Sequence, residues 1–350
     1  MKKRLLFLLP LLVLCSCNND KEAIDGYEIE YKEATVDGVT GLLVKSVSND
    51  DVKEVVIPKN VDGFDLEVKF IDNNVFNNFY DLTKVTLPDS LIGIYDGSFK
   101  NCISLETINL SNVTTIGSGA FSGCKKLKEV NLSENLNIID DKVFSNCESL
   151  ETINLNNNIE TISDYAFDSC KSLKNVTLPN SLINIGSGAF KDCESLNNLS
   201  LPATLKSIGD YAFYGNKSLD TIVLPESLET LGYKSFYNCY NLFNVTNNAS
   251  INSSIYDKSG IKEYIHKNII TLDDYMFTSN YGIYSLIKYT GSDENITLPD
   301  YINEKTYTIN QYAFYKSNVK SITVPNTVTK ISNYAFYDSK LDYINFSADD

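Results

Sequence analysis

Phenylalanine recurs along this chain on a fixed beat, at positions 76, 99, 121, 144, 167, 190, 213 and 236, with intervals of 23, 22, 23, 23, 23, 23 and 23 residues. Chance does not produce such a series. Five residues before each of these stands Ile or Leu, from Ile71 and Ile94 onward, and further copies centred on Phe277, Phe314 and Phe336 bring the expected total to eleven. The residue after that aliphatic is Gly, Asp, Asn or Ser in ten of the eleven copies, Tyr95 being the exception. Such residues tolerate the tight or left-handed backbone of a turn. A fixed period of this length means a chain built from units that pack only on their neighbours. The 350 residues, long for one compact core, are ordinary for an array that grows a coil at a time.

Between successive phenylalanines lies a second motif, seen as LTKVTLP from Leu82, LKNVTLP from Leu173, LDTIVLP from Leu219 and VKSITVP from Val319. The V-x-L alternation predicts a strand, and the proline stops it. Each unit supplies one strand and a return path, too little to bury its own apolar face. Stacked at the strand spacing of ~4.8 Å, every Leu, Ile and Phe packs on its equivalent above and below, and eleven coils make a mainly-β body on the order of 50 Å long.

The combined pattern, LxxVxLPxxLxxIGxxAFxxC, resembles the BspA-like class of leucine-rich repeats over roughly residues 50–346. That resemblance implies a right-handed leucine-rich-repeat solenoid with coils of 22–23 residues, in a family of surface proteins that often mediate adhesion to host proteins or other cells. It names no ligand. After Leu242 the strand motif fails, with Asn247 where a leucine belongs, and the next two intervals between phenylalanines are 41 and 37. Residues 282–314 echo residues 41–76, which start the first array, so both read as strand-rich lead-in modules that cover an open end, where a bare sheet edge invites aggregation. The expected organisation is a signal peptide at 1–16, a lipidated tether at 17–26, a strand-rich cap at 27–70, a first array at 71–244, an irregular junction with a second lead-in at 245–306, and a short second array at 307–350.

The opening MKKRLLFLLPLLVLCSC has the three-part layout of a secretion signal: cations, an apolar run from Leu5 to Leu14, then small residues. Ten apolar residues are too few to span a bilayer. Leu14-Cys15-Ser16-Cys17 resembles the bacterial lipobox, which implies cleavage after Ser16 and a lipid on Cys17. Cys15 fits poorly as the acceptor because bulky Leu14 would then stand at the cleavage position; the plainer alternative is a secretion signal with incidental cysteines. The chain is thus expected to be exported and lipid-anchored to the cell envelope, facing the exterior. Removing residues 1–16, which hold Lys2, Lys3 and Arg4 of the 30 basic residues, leaves 27 against 45 acidic ones, a net charge of −18. Such a balance argues for solubility and against nucleic acid as a partner.

Six of the eight cysteines sit three places after the repeat phenylalanine, at 102, 124, 147, 170, 193 and 239, and Asn216 fills that slot in its own copy. Disulfides are one reading for an exported chain. Stacked equivalents point in parallel directions, though, which is poor bridge geometry and favours free, buried thiols. Metal binding has little support, with no CxxC pair and His266 the only histidine. The acid pairs Asp140-Asp141 and Asp273-Asp274 invite comparison with glycosidase carboxylates, but the first of each pair occupies the turn slot of its repeat. No catalytic residue, metal or cofactor is assigned.

Two surfaces remain as candidates. The outward strand column reads Thr86, Asn109, Asn131, Asn154, Thr177 and Ser200, small and polar, as a solvated sheet would be. Tyrosine gives the sharper signal, since 18 of 23 fall in residues 211–350. The position after the repeat phenylalanine, polar and hence expected to be exposed in the early copies, becomes Tyr214, Tyr237, Tyr315 and Tyr337. Exposed tyrosine brings a large contact area at low entropic cost. The leading expectation is recognition of surface or extracellular-matrix proteins; glycan capture at the cell envelope is the alternative and a glycoside hydrolase the third. Tyrosines that merely pad a ridge or fill the junction between arrays would serve neither binding role.

Overall fold

The computed structural model describes residues 23–24, 26–251, 258–260, 269–280 and 282–347, which form a mainly-β solenoid of about 13 turns. Two walls of parallel strands line each array, each wall in one or more sheets. One is built from the V-x-L strands, among them Lys84–Thr86, Thr107–Leu110 and Glu129–Leu132, in register so that Val130 lies beside Ile108 and Leu132 beside Leu110. The other comes from the short strands ahead of each phenylalanine, such as Gly93–Ile94, Thr115–Ile116 and Thr161–Ile162. In-register pairing is what the 22–23-residue period demands, because a slip of one residue would turn every inward aliphatic outward.

Inside, the phenylalanines form one column. Rings 76, 99, 121, 144, 167, 190, 213 and 236 stack with centroids 4.8–5.7 Å apart and planes within 17° of parallel, and all eight are fully buried. Beside it runs the cysteine column. Each buried thiol donates to the carbonyl of the phenylalanine one coil back, Cys102 to Phe76 at 3.1 Å and Cys239 to Phe213 at 3.1 Å, and all six are free. Asn216 makes the same bond through its amide nitrogen to Phe190, at 2.8 Å, but leaves its Oδ1 buried without a partner.

The third wall is made of the turns that carry the phenylalanines. In each of the ten repeat turns two residues are left-handed, two places before and two after the phenylalanine, as at Gly97 and Asn101 around Phe99 or Tyr165 and Ser169 around Phe167. The alternation aims the amide N–H groups of one turn at the carbonyls of the next: Phe99 donates to Ala120 at 2.8 Å, Asn101 to Ser122 at 2.7 Å, and Tyr165 to Ser187 at 2.8 Å. The small residue after the aliphatic is therefore not itself the left-handed one in these turns. Its size matters because coils touch there: a Cβ on Gly232 would lie 2.2 Å from the carbonyl carbon of Gly209. Tyr95, the exception, turns its ring onto Phe70, 6.1 Å away.

A hairpin precedes each run of parallel strands. Tyr27–Val36 pairs antiparallel with Val39–Val47 across the left-handed Asp37-Gly38 turn, and Val39–Val47 then pairs parallel with Val68–Ile71. In the second region Ile269–Leu272, Tyr275–Asn280 and Ile283–Tyr289 are antiparallel, and the last pairs parallel with Tyr307–Ile309. Phe277 lies in the middle hairpin strand, not in a repeat turn, which corrects the expected count. The extra turns come from the lead-in strands and from residues 258–260, whose Lys258 and Ser259 carbonyls accept the N–H groups of Lys234 and Phe236. Strand pairing also continues past the end of the motif, with Asn247 in register beside Leu224. The buried side chains fall into two clusters, one from Tyr27 to Ala249 and one from Phe277 to Ala335.

Candidate interaction surfaces

The late tyrosines gather on the turn wall, where the two arrays meet. Tyr214 stacks on Tyr237 at 6.0 Å, and Tyr315 on Tyr337 at 6.1 Å with planes 10° apart. Stacking follows from the repeat, since equivalent positions in successive turns sit one coil apart. Tyr240 ties the first array to the second pair. Its ring is 4.5 Å from Tyr312, 5.6 Å from Tyr315 and 5.2 Å from Tyr337, so side chains of the first array pack directly on the second. Lys288 adds a second tie, its Nζ 4.4 Å from the ring centre of Phe243, where burial lowers its pKa.

Exposure divides the four expected tyrosines. Tyr237 and Tyr337 are 46% and 44% exposed, whereas Tyr214 and Tyr315 are half-buried. The premise that this column faces water throughout needs correcting. Ser145 is buried, and Asn77, Ser122, Asp168 and Lys191 are half-buried, because each turn is roofed by the turns on either side. Burial pushes the phenols of Tyr312, Tyr315 and Tyr240 above their ordinary value, and Asp338 adds to the effect at Tyr315. Cations border the patch: Lys234 stands 5.2 Å over Tyr233 and 5.1 Å over Tyr237, and Lys316 stands 5.3 Å over Tyr315. Tyr240 and Tyr312, which the column rule did not single out, belong to the same patch; the general enrichment of tyrosine after residue 211 was the only sequence signal for them.

The outward column of Thr86, Asn109, Asn131, Asn154, Thr177 and Ser200 is exposed at every position. Along the flanks, acids and lysines pair from coil to coil, Glu148 with both Lys125 and Lys171 and Glu194 with Lys217. Exposed pairs of this kind contribute little each.

The acid pair 140–141 has a structural explanation. Asp140 Oδ1 accepts the N–H of Asp141, and Asp141 Oδ1 accepts the N–H of Asp164 one coil on, at 3.0 Å. The thiols of Cys124, Cys147, Cys170, Cys193 and Cys239 are held protonated by burial, that of Cys239 up to about 12, so they are poor nucleophiles. Among the described residues no group of His, Cys, Asp and Glu is placed to hold a metal ion, and no helix is long and apolar enough to cross a membrane. Cys17 and His266 lie outside the described residues.

A family model described as "BspA type Leucine rich repeat region", in six copies, matches residues 45–174, 160–284 and 285–349. Among solved structures, a leucine rich cell surface protein from Faecalibacterium prausnitzii A2-165 shares 23% identity and a TM-score of 0.50, over 95% of this chain and 78% of that one. A leucine-rich repeat protein from Bacteroides ovatus ATCC 8483 gives 21% identity and a TM-score of 0.48, over 93% and 99% of the two chains. The T. pallidum Leucine Rich Repeat protein is 28% identical over 66% of this chain and 94% of its own, with a TM-score of 0.45. The first of these likenesses shows a shared solenoid fold. No curated protein matches the chain.

Proposed function

The chain belongs to the BspA-type leucine-rich repeat family, and from that premise we propose that it is a surface recognition scaffold that binds another protein through its tyrosine patch. The observation that carries this reading is the gathering of tyrosines where the arrays meet: Tyr240 of the first array packs ring to ring on Tyr312, Tyr315 and Tyr337 of the second, the stacked pair Tyr214 and Tyr237 lies on the same wall, and Tyr237 and Tyr337 are about half exposed. Aromatic anchors on a rigid support lose little entropy on binding. A repeat scaffold adds many weak contacts along its length. Residues 1–17 support export and a lipid on Cys17, which would hold the solenoid at the envelope with the polar segment from Asn18 as its tether. Extracellular-matrix or other surface proteins fit such a position.

The test is binding of the exported chain to immobilised extracellular-matrix proteins, compared with a Tyr237→Ser/Tyr337→Ser variant. These two are the most exposed of the four, so their loss should spare the fold. Binding is expected to fall on the order of tenfold or more, two anchors each contributing at least ~1 kcal/mol, with an unchanged circular-dichroism spectrum. Undiminished binding refutes the assignment to tyrosine. For the anchor, replacing Cys17 with Ser should release the protein from membranes into the soluble fraction, and continued membrane association would refute the lipid.

A further inference from the structure

One rung of the V-x-L wall contributes no strand. Residues 198–201 are held by a single bridge, Asn175 to Asn198, although strands Asn175–Thr177 and Thr221–Leu224 stand on either side. The ladder is also interrupted between Leu132 and Thr152, but there both neighbours remain strands. The central inward residue of the first-array rungs is Val55, Val85, Ile108, Val130, Ile153, Val176, Ile222 or Val245 everywhere except at Leu199. A β-branched residue suits the pleat; leucine, branched one carbon later, does not hold the extended backbone as well.

The defect opens a groove of about 610 Å³ across the wall, and its chemistry differs from the rest of the surface. No charged side chain lines it, in a chain that is 21% charged. Asn157, Asn175, Asn180 and Asn198 line it with Thr177 and Ser200, all six exposed, and none of these side chains has a hydrogen-bond partner among the described residues. Amides and hydroxyls offer both donors and acceptors, the match for a ligand rich in hydroxyl groups and free of charge. Spacing separates the two neutral polymers that could lie there. Side chains on one face of an extended peptide recur every ~6.8 Å, out of step with rungs ~4.8 Å apart. A pyranose ring with its linkage is close to one rung in length, so successive sugars meet successive rungs in the same way.

We propose that this groove binds a neutral oligosaccharide, with Asn175 and Asn198 bonding hydroxyls of consecutive sugar units. The site lies on a different wall from the tyrosine patch and stands independently of the reading given to it.

Calorimetric titration of the exported chain with maltohexaose, cellohexaose, xylohexaose and mannohexaose tests this, with polygalacturonate as the anionic control. At least one neutral sugar should bind, and polygalacturonate should not. Asn175→Ala/Asn198→Ala should weaken binding on the order of tenfold, two neutral hydrogen bonds being lost. Leu199→Val, which keeps the site apolar while restoring the strand, should weaken it as well, so the result does not hang on one variant's folding. Tyr237→Ser/Tyr337→Ser should leave sugar binding unchanged. The proposal is overturned if none of the neutral sugars binds at millimolar concentration, if polygalacturonate binds as well as they do, or if affinity is the same in both groove variants.

Discussion

The two arrays obey one repeat rule and fill their interiors differently. In the first, eight phenylalanine rings stack beside six thiols and a column of small residues, alanine or valine except at Ser98 and Ser235, so few of its core side chains carry a polar atom beyond the cysteines. In the second, the column runs Tyr289, Phe314, Phe336, at 5.6 and 4.9 Å, and tyrosines also occupy the lead-in. Every buried phenol then needs a partner. Tyr307 donates to Pro299 at 2.7 Å and Tyr275 to Thr297 at 3.2 Å. A long array can run on apolar stacking alone; a short one has proportionally more end and rim, where a ring with a polar tip is at home in a half-wet setting.

The contrast can be tested by deletion. Phe167→Ala removes a ring stacked on both sides in the long column and should cost about 3–5 kcal/mol in urea unfolding, whereas Phe336→Ala, in a half-buried ring of the short array, should cost less than half of that. Equal losses would mean that position in the column is irrelevant.

Alkaline pH should separate the arrays next. Burial raises the phenols of Tyr275 (to about 12), Tyr307, Tyr312 and Tyr315, while an unfolded chain releases these protons near the ordinary value of 10.0. Their stabilising contribution is therefore complete below pH 10 and is lost as pH rises from there through the folded-state values. The buried thiols of the first array obey the same rule from their lower ordinary value of 9.0, so the first array should weaken at lower pH than the second, seen as ladder-thiol labelling that rises before the buried tyrosines ionise; tyrosines ionising first, with the thiols still resisting labelling, would refute this order.

Smaller effects should come from single slots. Asn216→Cys keeps the bond to the Phe190 carbonyl and removes the stranded Oδ1, so it should stabilise the first array by about 1–2 kcal/mol; a destabilised variant would show the slot prefers the amide. The last test sets matching left-handed tyrosines against each other. Tyr165→Gly relieves an unfavourable backbone conformation at a residue with few ring contacts and should stabilise by about 0.5–1 kcal/mol. Tyr312→Gly offers the same relief but removes the ring packed on Tyr240 and Tyr334, so it should destabilise. Two shifts of the same sign in thermal melting would mean the tyrosine patch adds nothing to the joining of the arrays.

The period gave away the stacked core because Phe, Ile and Cys have one role at every coil. The left-handed turn positions were hidden for the opposite reason: they hold Asn, Gly, Lys, Tyr, Ser and Asp by turns, since the bonds between turns enforce a backbone that no single side chain announces. Phe277 misled because it keeps the local spacing to Leu272 while sitting in a hairpin strand. Tyrosine enrichment pointed to the right region, but a linear count could not tell Tyr237, half in water, from Tyr315, packed on Tyr240 across the junction. The groove had a signal in plain sight, the lone leucine of a β-branched column, whose meaning emerges only once that column is known to be a wall.

The backbone-to-backbone bonds between the turns that carry the phenylalanines run one way, with amides reaching toward the carboxy-terminal neighbour and carbonyls receiving from the amino-terminal one. The rod is consequently directional, like an arrow with unlike ends. Two such rods joined end to end through bonds of this kind could only follow one another tip to tail, because the amides of one end need the carbonyls of the other, and a contact between unlike surfaces extends into open chains.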